Sequence, residues 1–382
     1  MADRRLRVGI VGLQAGRSWA ALAHIPALRA LSGTYEIVGV ANTSRASADA
    51  AARACSLPRA FDNVGELVNS PDVDVVTVTV KVPHHLDVVK AAIKAGKHVY
   101  CEWPLGNGLA EAEQLAALAK ERRILGVVGT QARVAPEIEH LRQLISDGFV
   151  GEVLSTTISA RGGGWGAAIE SKAFSAYLLD RANGATMLTI PVGHTLAALR
   201  DVLGDITELS AVIANRRNMV RALDTGELLS MSAPDQVLVS GVLTNGAPVS
   251  IHYRGGTSRG TPGFVWEING SEGDIRVTGA SGSGNPQMVQ LSIEGGSGNE
   301  RALRRLVTPA SYREGWPDDV VPGNVARMYA RMASDLRDRT RTAPSFDEAV
   351  ELHRLIGAIE VAADSGRRVR PSERPEAVER TC

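Results

Sequence analysis

Residues 1–130 alternate short apolar runs, rich in β-branched residues, with longer segments of helical periodicity. Several of the short runs are apolar at nearly every position, which is typical of strands covered on both faces. Strands that alternate with helices in this way form parallel sheets. The pattern predicts strands over 7–11, 35–41, 73–80, 97–102 and 124–130, and helices over 20–31, 46–54, 64–69, 86–95 and 109–122.

The pattern changes after Pro136 and one further helix over 137–147. Long alternating segments follow one another over 152–306, separated by turns rich in Gly, Ser, Asn and Pro. Successive strands of this kind predict an antiparallel sheet, with one helix near 187–203. Two closing helices are predicted over 324–339 and 346–363, the second begun by a capping box of Ser345 and Glu348.

Composition excludes several classes of protein. Lys and Arg total 42, as do Asp and Glu, so no bulk positive field favours direct binding to nucleic acid. The sequence shows neither an apolar signal region nor an uninterrupted span of about 18 apolar residues, so we expect a cytoplasmic protein without membrane association. Cys55, Cys101 and Cys382 are widely spaced, which predicts neither a disulfide framework nor a metal site.

A glycine-rich turn follows the first predicted strand, where residues 9–16 are GIVGLQAG. A dinucleotide needs a tight strand-to-helix turn whose backbone can approach the pyrophosphate, and Gly12 and Gly16 can supply it. Gln14 holds the place of the second glycine of the usual GxGxxG fingerprint, so a plain tight turn is the alternative. The position between a strand and a helix favours dinucleotide binding by Gly12, Leu13, Gln14 and Gly16.

The end of the second strand bears on the choice of cofactor. An acidic residue at this point usually binds the ribose 2′-hydroxyl, whereas small hydroxyl residues and an Arg accommodate a 2′-phosphate. The chain has Asn42, Ser44 and Arg45 here, which favours NADP over NAD. The alternative is that Arg45 only begins a solvated helix.

Residues 96–105, GKHVYCEWPL, are similar to the GKHVxCEKPL segment of the glucose-fructose oxidoreductase and inositol dehydrogenase superfamily, often written Gfo/Idh/MocA. Further matches run almost from end to end, at 129–136, 148–152, 193–194, 270–274 and 344–353. The resemblance implies a Rossmann fold followed by an α/β domain with an open sheet, activity on a sugar or polyol, and pairing into dimers or tetramers. It also implies cofactor contacts at Thr79, His85, Glu102, Trp103 and Gln131.

Together these observations predict an α/β protein with a dinucleotide-binding Rossmann domain with a parallel sheet over 1–132. A C-terminal α/β domain with a large, open, mostly antiparallel sheet, which serves substrate binding and oligomerisation, is expected over 133–370. A disordered tail is expected over 371–382.

The chain departs from the family at the residues that move protons. The resemblance implies a lysine after Glu102 and an aspartate four residues before His194, but these positions hold Trp103 and Ile190. The same departures resemble the branch that contains the repressor of the yeast galactose regulon, as do the Gly-Gly-Trp over 163–165 and the Gly-His-Thr over 193–195. Such regulators bind a dinucleotide and an activation-domain peptide, which implies a non-catalytic alternative.

Three residues are candidates for proton transfer. His194 keeps the family position, although a satisfied buried histidine is the alternative. Lys81 follows a parallel strand at the ligand-binding edge of the sheet and could replace the missing lysine; it could equally contact a phosphate or carboxylate, or be merely exposed. Tyr177 and Lys172 could line the same pocket, with Tyr177 acting on a carbonyl oxygen.

Aromatic residues offer a binding surface. Trp165, beside three glycines, and Trp103 could form a platform for a sugar ring, although an aromatic cleft would equally suit a peptide. Two functions therefore remain. The first is an NAD(P)-dependent oxidoreductase acting on a sugar, sugar derivative or similar small hydroxyl or carbonyl compound, in a homodimer or homotetramer. The second is a non-catalytic NAD(P)-binding regulator or sensor.

Overall fold

A computed structural model describes residues 4–260, 262–279, 282 and 284–371. Apart from Pro371, the predicted tail lies outside the described residues. The chain divides into two compact units. The first contains the residues up to Val134 together with Arg313–Glu351, and the second contains Ala135–Tyr312 and the residues from Leu352 onward.

The first unit is built on a five-stranded parallel sheet of order β2-β1-β3-β4-β5. β3 and β5 are buried at every residue, as their apolar sequences require in a sheet covered on both faces. The predicted parallel sheet is confirmed, although the third and fifth strands are shorter than expected. The strands are β1 (Leu6–Val11), β2 (Tyr35–Ala41), β3 (Val75–Val78), β4 (His98–Glu102) and β5 (Gly126–Gly129).

Helices connect these strands. The first connection begins as a π-helical turn, Ala20–His24, and continues as α1 (Ile25–Ala30). Side-chain oxygens of Ser44 and Asn63 cap the second and third helices by accepting backbone N–H groups. The remaining helices of this part of the chain are α2 (Arg45–Ala54), α3 (Val64–Asn69), α4 (His85–Lys94) and α5 (Leu109–Glu121).

The second unit contains an eight-stranded sheet of order β16-β15-β14-β13-β6-β12-β11-β8. Its described neighbours pair antiparallel except β6 and β12, which are parallel, so the predicted open and mostly antiparallel sheet is confirmed. Buried and exposed residues alternate along the strands, as expected for a sheet with one covered face. The strands are β6 (Val153–Gly162), β8 (Ile206–Ala214), β11 (Gln236–Leu243), β12 (Pro248–Gly255), β13 (Phe264–Gly270), β14 (Gly273–Gly279), β15 (Leu291–Ser297) and β16 (Arg304–Leu306).

A small three-stranded sheet, which the sequence did not indicate, accompanies the large one in the second unit. It consists of β7 (Ala168–Ile169), β9 (Met219–Ala222) and β10 (Leu228–Ser230). The helices here are α6 (Pro136–Ser146), α7 (Lys172–Ser175) and α8 (Gly193–Leu203), and α6 packs against α8. A π-helical turn, Leu188–Val192, runs directly into α8.

The chain returns to the first unit near its C-terminal end. Helix α9 (Val320–Asp338) packs against α1, and its Met328, Tyr329 and Met332 are fully buried in the same core as Ile10 of β1. Ser345 and Glu348 form the predicted capping box at the start of α10 (Phe346–Ser365), with Ser345 N donating to Glu348 Oε2 over 2.7 Å. Among the described residues, no helix combines the length and apolarity needed to cross a membrane.

Candidate functional site

The turn after β1 can pack closely against Val80 only because residue 12 is glycine. Gly12 has a φ of +98°, and a Cβ built on it would lie 2.8 Å from Val80 Cγ1 and 3.0 Å from Val80 N. Gly16 also has a positive φ, of +71°, but a Cβ there would meet open space. Glycine adopts this backbone without strain, and a turn of this kind is the cradle that the pyrophosphate of a dinucleotide requires.

Two predicted cofactor contacts brace this turn. Leu13 N donates to Asn42 Oδ1 over 2.9 Å, and Asn42 Nδ2 donates back to Leu13 O over 2.8 Å. Thr79 Oγ1 lies 2.7 Å from Gly12 O, to which it donates. The backbone N–H of Gln14 also has a partner, because it donates to Ser18 Oγ over 2.9 Å. Asn42 and Thr79 therefore fix the backbone to which a dinucleotide would bind.

The segment that bears on cofactor choice carries charges of both signs. Ser44 caps α2, and Arg45 begins it. The Arg45 guanidinium pairs with Asp49, at 3.0 Å, and with Asp62. A 2′-phosphate bound by Arg45 would therefore compete with two carboxylates.

The loop after β3 holds two predicted residues in different environments. Lys81 is exposed and lies just before a short 3₁₀ turn, Val82–His84. His85 is buried, with its Nδ1 2.7 Å from Pro104 O and its Nε2 2.9 Å from Val80 O. Burial lowers the pKa of His85, and a neutral imidazole donates one hydrogen bond. Both neighbours are carbonyl oxygens, which only accept, so a neutral His85 donates to one of the two loops at a time while lying between them.

Glu102, the last residue of β4, is the centre of a buried hydrogen-bond network. Its Oε1 lies 2.9 Å from His24 Nε2, and Gln131 Nε2 lies 2.8 and 2.9 Å from its two oxygens. A carboxylate can only accept, so Nε2 of His24 carries a hydrogen. The other ring nitrogen of His24, Nδ1, lies 2.8 Å from Tyr329 OH. Only 13% of the Glu102 side chain is exposed.

Sequence reasoning missed His24 and Tyr329. His24 is a polar residue within an apolar run shortly after the glycine-rich turn, and this position was a weak indication of a role near the site. Tyr329 lies on α9, and nothing in the sequence around it indicated such a role. The network continues, since Tyr329 OH lies 2.8 Å from Thr77 Oγ1 on β3. His24, Thr77 and Tyr329 are fully buried. The amide oxygen of Gln131 is also buried, and no described residue donates a hydrogen bond to it.

Trp103, which replaces the family lysine, is buried with 5% of its surface exposed. The neighbouring Cys101 Sγ lies 3.5 Å from His85 Nδ1, and burial raises the pKa of this thiol. A buried thiol with a raised pKa is a poor nucleophile. No group of three or more His, Cys, Asp or Glu residues in the described ranges could hold a metal ion.

The other predicted residues lie in the second unit. His194 is buried on α8, and Ile190, which holds the sequence position of the family aspartate, lies in the π-helical turn before it. The next residue, Thr195, lies 2.6 Å from Tyr253 OH, which donates to Gly284 O over 2.8 Å. The side chain of Thr195 is thus committed to the core of this unit.

Trp165, Tyr177 and Lys172 occupy different environments. Trp165 is buried, and its indole N–H donates to Leu178 O over 2.9 Å. Tyr177 lies in a short 3₁₀ turn, Ala176–Leu179, and burial raises the pKa of its phenol. Lys172 is exposed and pairs with Glu227 over 2.6 Å. The structure therefore places one group of predicted residues at the strand ends of the first unit and another in the second.

Two family models match the chain in succession. A model described as an oxidoreductase family with an NAD-binding Rossmann fold matches residues 6–130. A model of the Gal80p C-terminal domain matches residues 136–279. The resemblance inferred from the sequence is confirmed.

Curated relatives belong to both functional classes. Dehydrogenase aclE of Aspergillus oryzae is 31% identical over 379 residues, which cover 95% of this chain and 98% of that protein. The galactose/lactose metabolism regulatory protein GAL80 of Kluyveromyces lactis is 32% identical over 299 residues, which cover 74% of this chain and 65% of that protein. The crystal structure of the transcriptional regulator Gal80p from the same yeast matches with a TM-score of 0.86 at 27% identity, over 97% of this chain and 92% of that chain.

Proposed function

Because the chain belongs to the Gfo/Idh/MocA oxidoreductase family, with an NAD-binding Rossmann fold followed by a Gal80p-like C-terminal domain, we propose that it is an NAD(P)-dependent oxidoreductase. Its substrate is a sugar, a sugar derivative or a similar small hydroxyl or carbonyl compound. The observation that carries this proposal is the alignment with a dehydrogenase over nearly the full length of both chains. The cradle at Gly12 supports the binding half of the proposal, since only a glycine fits there.

The reaction requires a group that moves a proton. A bound nicotinamide accepts or donates a hydride, and the substrate hydroxyl loses or gains a proton at the same time. Trp103 offers only an indole N–H donor and Ile190 offers nothing. We propose His194, Lys81 and Tyr177 for proton transfer, with Trp165 and Lys172 as substrate contacts.

A specific observation favours a second function. The lysine and the aspartate of the family pattern are both replaced, and the structural match to a transcriptional regulator covers 97% of this chain. A dinucleotide-binding regulator or sensor would keep the glycine cradle and lose the proton-transfer groups. This alternative predicts dinucleotide binding without hydride transfer.

For the cofactor we propose NADP, on the basis of Ser44 and Arg45 at the end of β2. Binding of a 2′-phosphate requires Arg45 to leave Asp62 or to contact both groups at once. The preference therefore depends on one exposed side chain, which makes it simple to test.

We propose self-association through the uncovered face of the eight-stranded sheet. Val212 and Leu238 lie directly opposite each other on β8 and β11, with 58% and 39% of their surfaces exposed. Adjacent exposed apolar residues on a sheet face favour contact with a second copy.

Incubation of the purified protein with NAD(P) or NAD(P)H and a panel of sugars and keto-sugars tests the function. A change in reduced-nicotinamide absorbance that depends on one substrate supports the oxidoreductase. Dinucleotide binding by calorimetry without turnover across the panel supports the regulator. Failure to bind any dinucleotide contradicts both.

A further inference from the structure

Glu102 is surrounded by hydrogen-bond donors. His24 Nε2 and Gln131 Nε2 both point at its oxygens, at 2.8 to 2.9 Å. Groups that donate to a carboxylate stabilise its ionised form and would lose a partner if it were protonated. The local geometry therefore directs donors at both oxygens of the carboxylate.

Glu102 has no Lys or Arg partner among the described residues. Within the described parts of the chain, no Lys or Arg nitrogen lies within 4.0 Å of a Glu102 oxygen, and its ion-pair partner there is His24, charged only if protonated. In the family motif a lysine follows this glutamate, but here Trp103 follows it. The exchange removes one positive charge beside the carboxylate.

The rest of the network keeps Glu102 in place, with 13% of its side chain exposed. Tyr329 OH lies 2.8 Å from both His24 Nδ1 and Thr77 Oγ1, and all three residues are fully buried. Burial raises the pKa of Tyr329, so its phenol stays protonated and available to His24. In such a weakly polarisable environment, a fixed charge acts over a longer distance than it does in water.

Glu102 also lies at the edge of the sheet where a dinucleotide binds. It ends a parallel strand beside β3, and ligands of open α/β sheets bind outside the carboxyl ends of the strands. The nicotinamide ring carries a positive charge when oxidised and none when reduced. We propose that the Glu102 carboxylate, positioned by His24 and Tyr329, makes this site select the oxidised over the reduced dinucleotide.

This inference rests on the proposed binding of NAD(P), but it does not depend on turnover. A single fixed charge near a ring that is charged only when oxidised should change the relative affinity for the two forms about tenfold, since tenfold in affinity corresponds to ~1.4 kcal/mol. The quantity to measure is the ratio of the dissociation constants of the reduced and oxidised forms. Calorimetry or ligand fluorescence gives both constants for whichever dinucleotide binds more tightly.

The decisive variant is Glu102→Gln, which removes the charge and keeps the shape. We expect the ratio to fall about tenfold relative to the unsubstituted protein, mainly through weaker binding of the oxidised form. Glu102→Asp retains the charge and should retain most of the selectivity. Tyr329→Phe should reduce the ratio by a smaller factor, about twofold to threefold, because His24 loses the partner that fixes its tautomer.

Tyr35→Phe is the matched control. Tyr35 belongs to the same aromatic cluster, and the substitution removes its buried hydroxyl, which donates to Tyr329 O over 2.7 Å. The hydrogen bonds that link Glu102 through His24 and Tyr329 to Thr77 stay intact. Thermal unfolding of each variant shows whether it is folded. An unchanged ratio in folded Glu102→Gln overturns the inference, while no binding by the unsubstituted protein overturns the proposed function as well.

Discussion

His24 and Glu102 are 78 positions apart in the chain, yet His24 Nε2 lies 2.9 Å from Glu102 Oε1. The first residue closes a π-helical turn after the glycine-rich segment, and the second ends β4. Their hydrogen bond joins the helical turn that follows the glycine-rich segment to the part of the sheet where the family motif carries its glutamate. Hydrogen bonds to a charged partner typically contribute about 1.5 to 3 kcal/mol, so this contact also stabilises the first unit.

Gly12→Ala should damage both stability and binding. The positive φ and the 2.8 Å approach to Val80 Cγ1 leave no place for a methyl group, so we expect a loss of about 1 to 3 kcal/mol and at least tenfold weaker dinucleotide binding. Gly16→Ala is the control for close packing alone, since it carries the same cost of a positive φ but its Cβ meets open space. Urea unfolding and calorimetry measure the two effects. Equal losses in the two variants would show that close packing at Gly12 is unimportant.

Arg45→Ala should decide the cofactor preference. If the guanidinium binds a 2′-phosphate, the dissociation constant for NADP should rise about tenfold while that for NAD changes little. Asp62→Asn should have the opposite effect on NADP, because it removes one of the two carboxylates that compete for Arg45. If both variants leave the NADP to NAD ratio unchanged, NADP preference is wrong.

Lys81→Ala and His194→Gln test the proton-transfer proposal. Lys81 is exposed, so its loss should leave unfolding unaffected and, if it moves a proton, lower kcat about 100-fold or more. His194 is buried, and its replacement requires a parallel check of stability. If one of these residues moves the proton, the variant that lacks it should lose the part of the pH profile of kcat/KM that reports the titration of that residue. Full activity in Lys81→Ala would remove Lys81 from the mechanism.

Leu238→Glu should weaken self-association. The substitution places a charge beside Val212 on the uncovered sheet face, and we expect a shift towards monomer in light scattering coupled to gel filtration. Val307→Glu provides the control, since Val307 is 73% exposed and lies outside the described strands of this sheet. An unchanged molar mass for Leu238→Glu would place the contact elsewhere or show that the chain is monomeric.

His353 should make stability depend on pH. Burial lowers its pKa to about 4, below the ordinary value of 6.5. Because the unfolded chain takes up the proton first, stability is fully present above pH 6.5 and falls as the pH drops towards 4, by about 3 kcal/mol. His353→Gln should flatten this part of the curve. The measurement is the free energy of unfolding in urea at several pH values. If this free energy differed between the two proteins by the same amount at every pH, the prediction would be wrong.

Local signals made much of the fold predictable. Apolar strands alternating with helices, the glycine after β1 and the capping box at Ser345 each depend on residues close in sequence. The small sheet had no such signal, because β7 has two residues and its partner β9 follows some 50 positions later. Short strands of this kind are defined by their neighbours rather than by their own periodicity.

The candidate site was less predictable for a related reason. Residue types at the strand ends suggested ligand contacts, but the structure commits the Asn42 amide to Leu13 and places both ring nitrogens of His85 beside backbone oxygens. Whether a polar side chain faces a ligand or the backbone depends on tertiary packing, which no spacing rule contains. Tyr329 shows this most clearly, because it reaches His24 from α9.

The position of Tyr329 also has a consequence for how the protein is made. A ribosome releases the chain from its N terminus, so all five strands of the parallel sheet emerge before α9 has been translated. Until then, the pocket among Ile10, Tyr35 and Tyr100 that Tyr329 fills remains empty, and His24 lacks a partner for its second nitrogen. The nucleotide-binding unit can therefore reach its final form only after α9 has been synthesised.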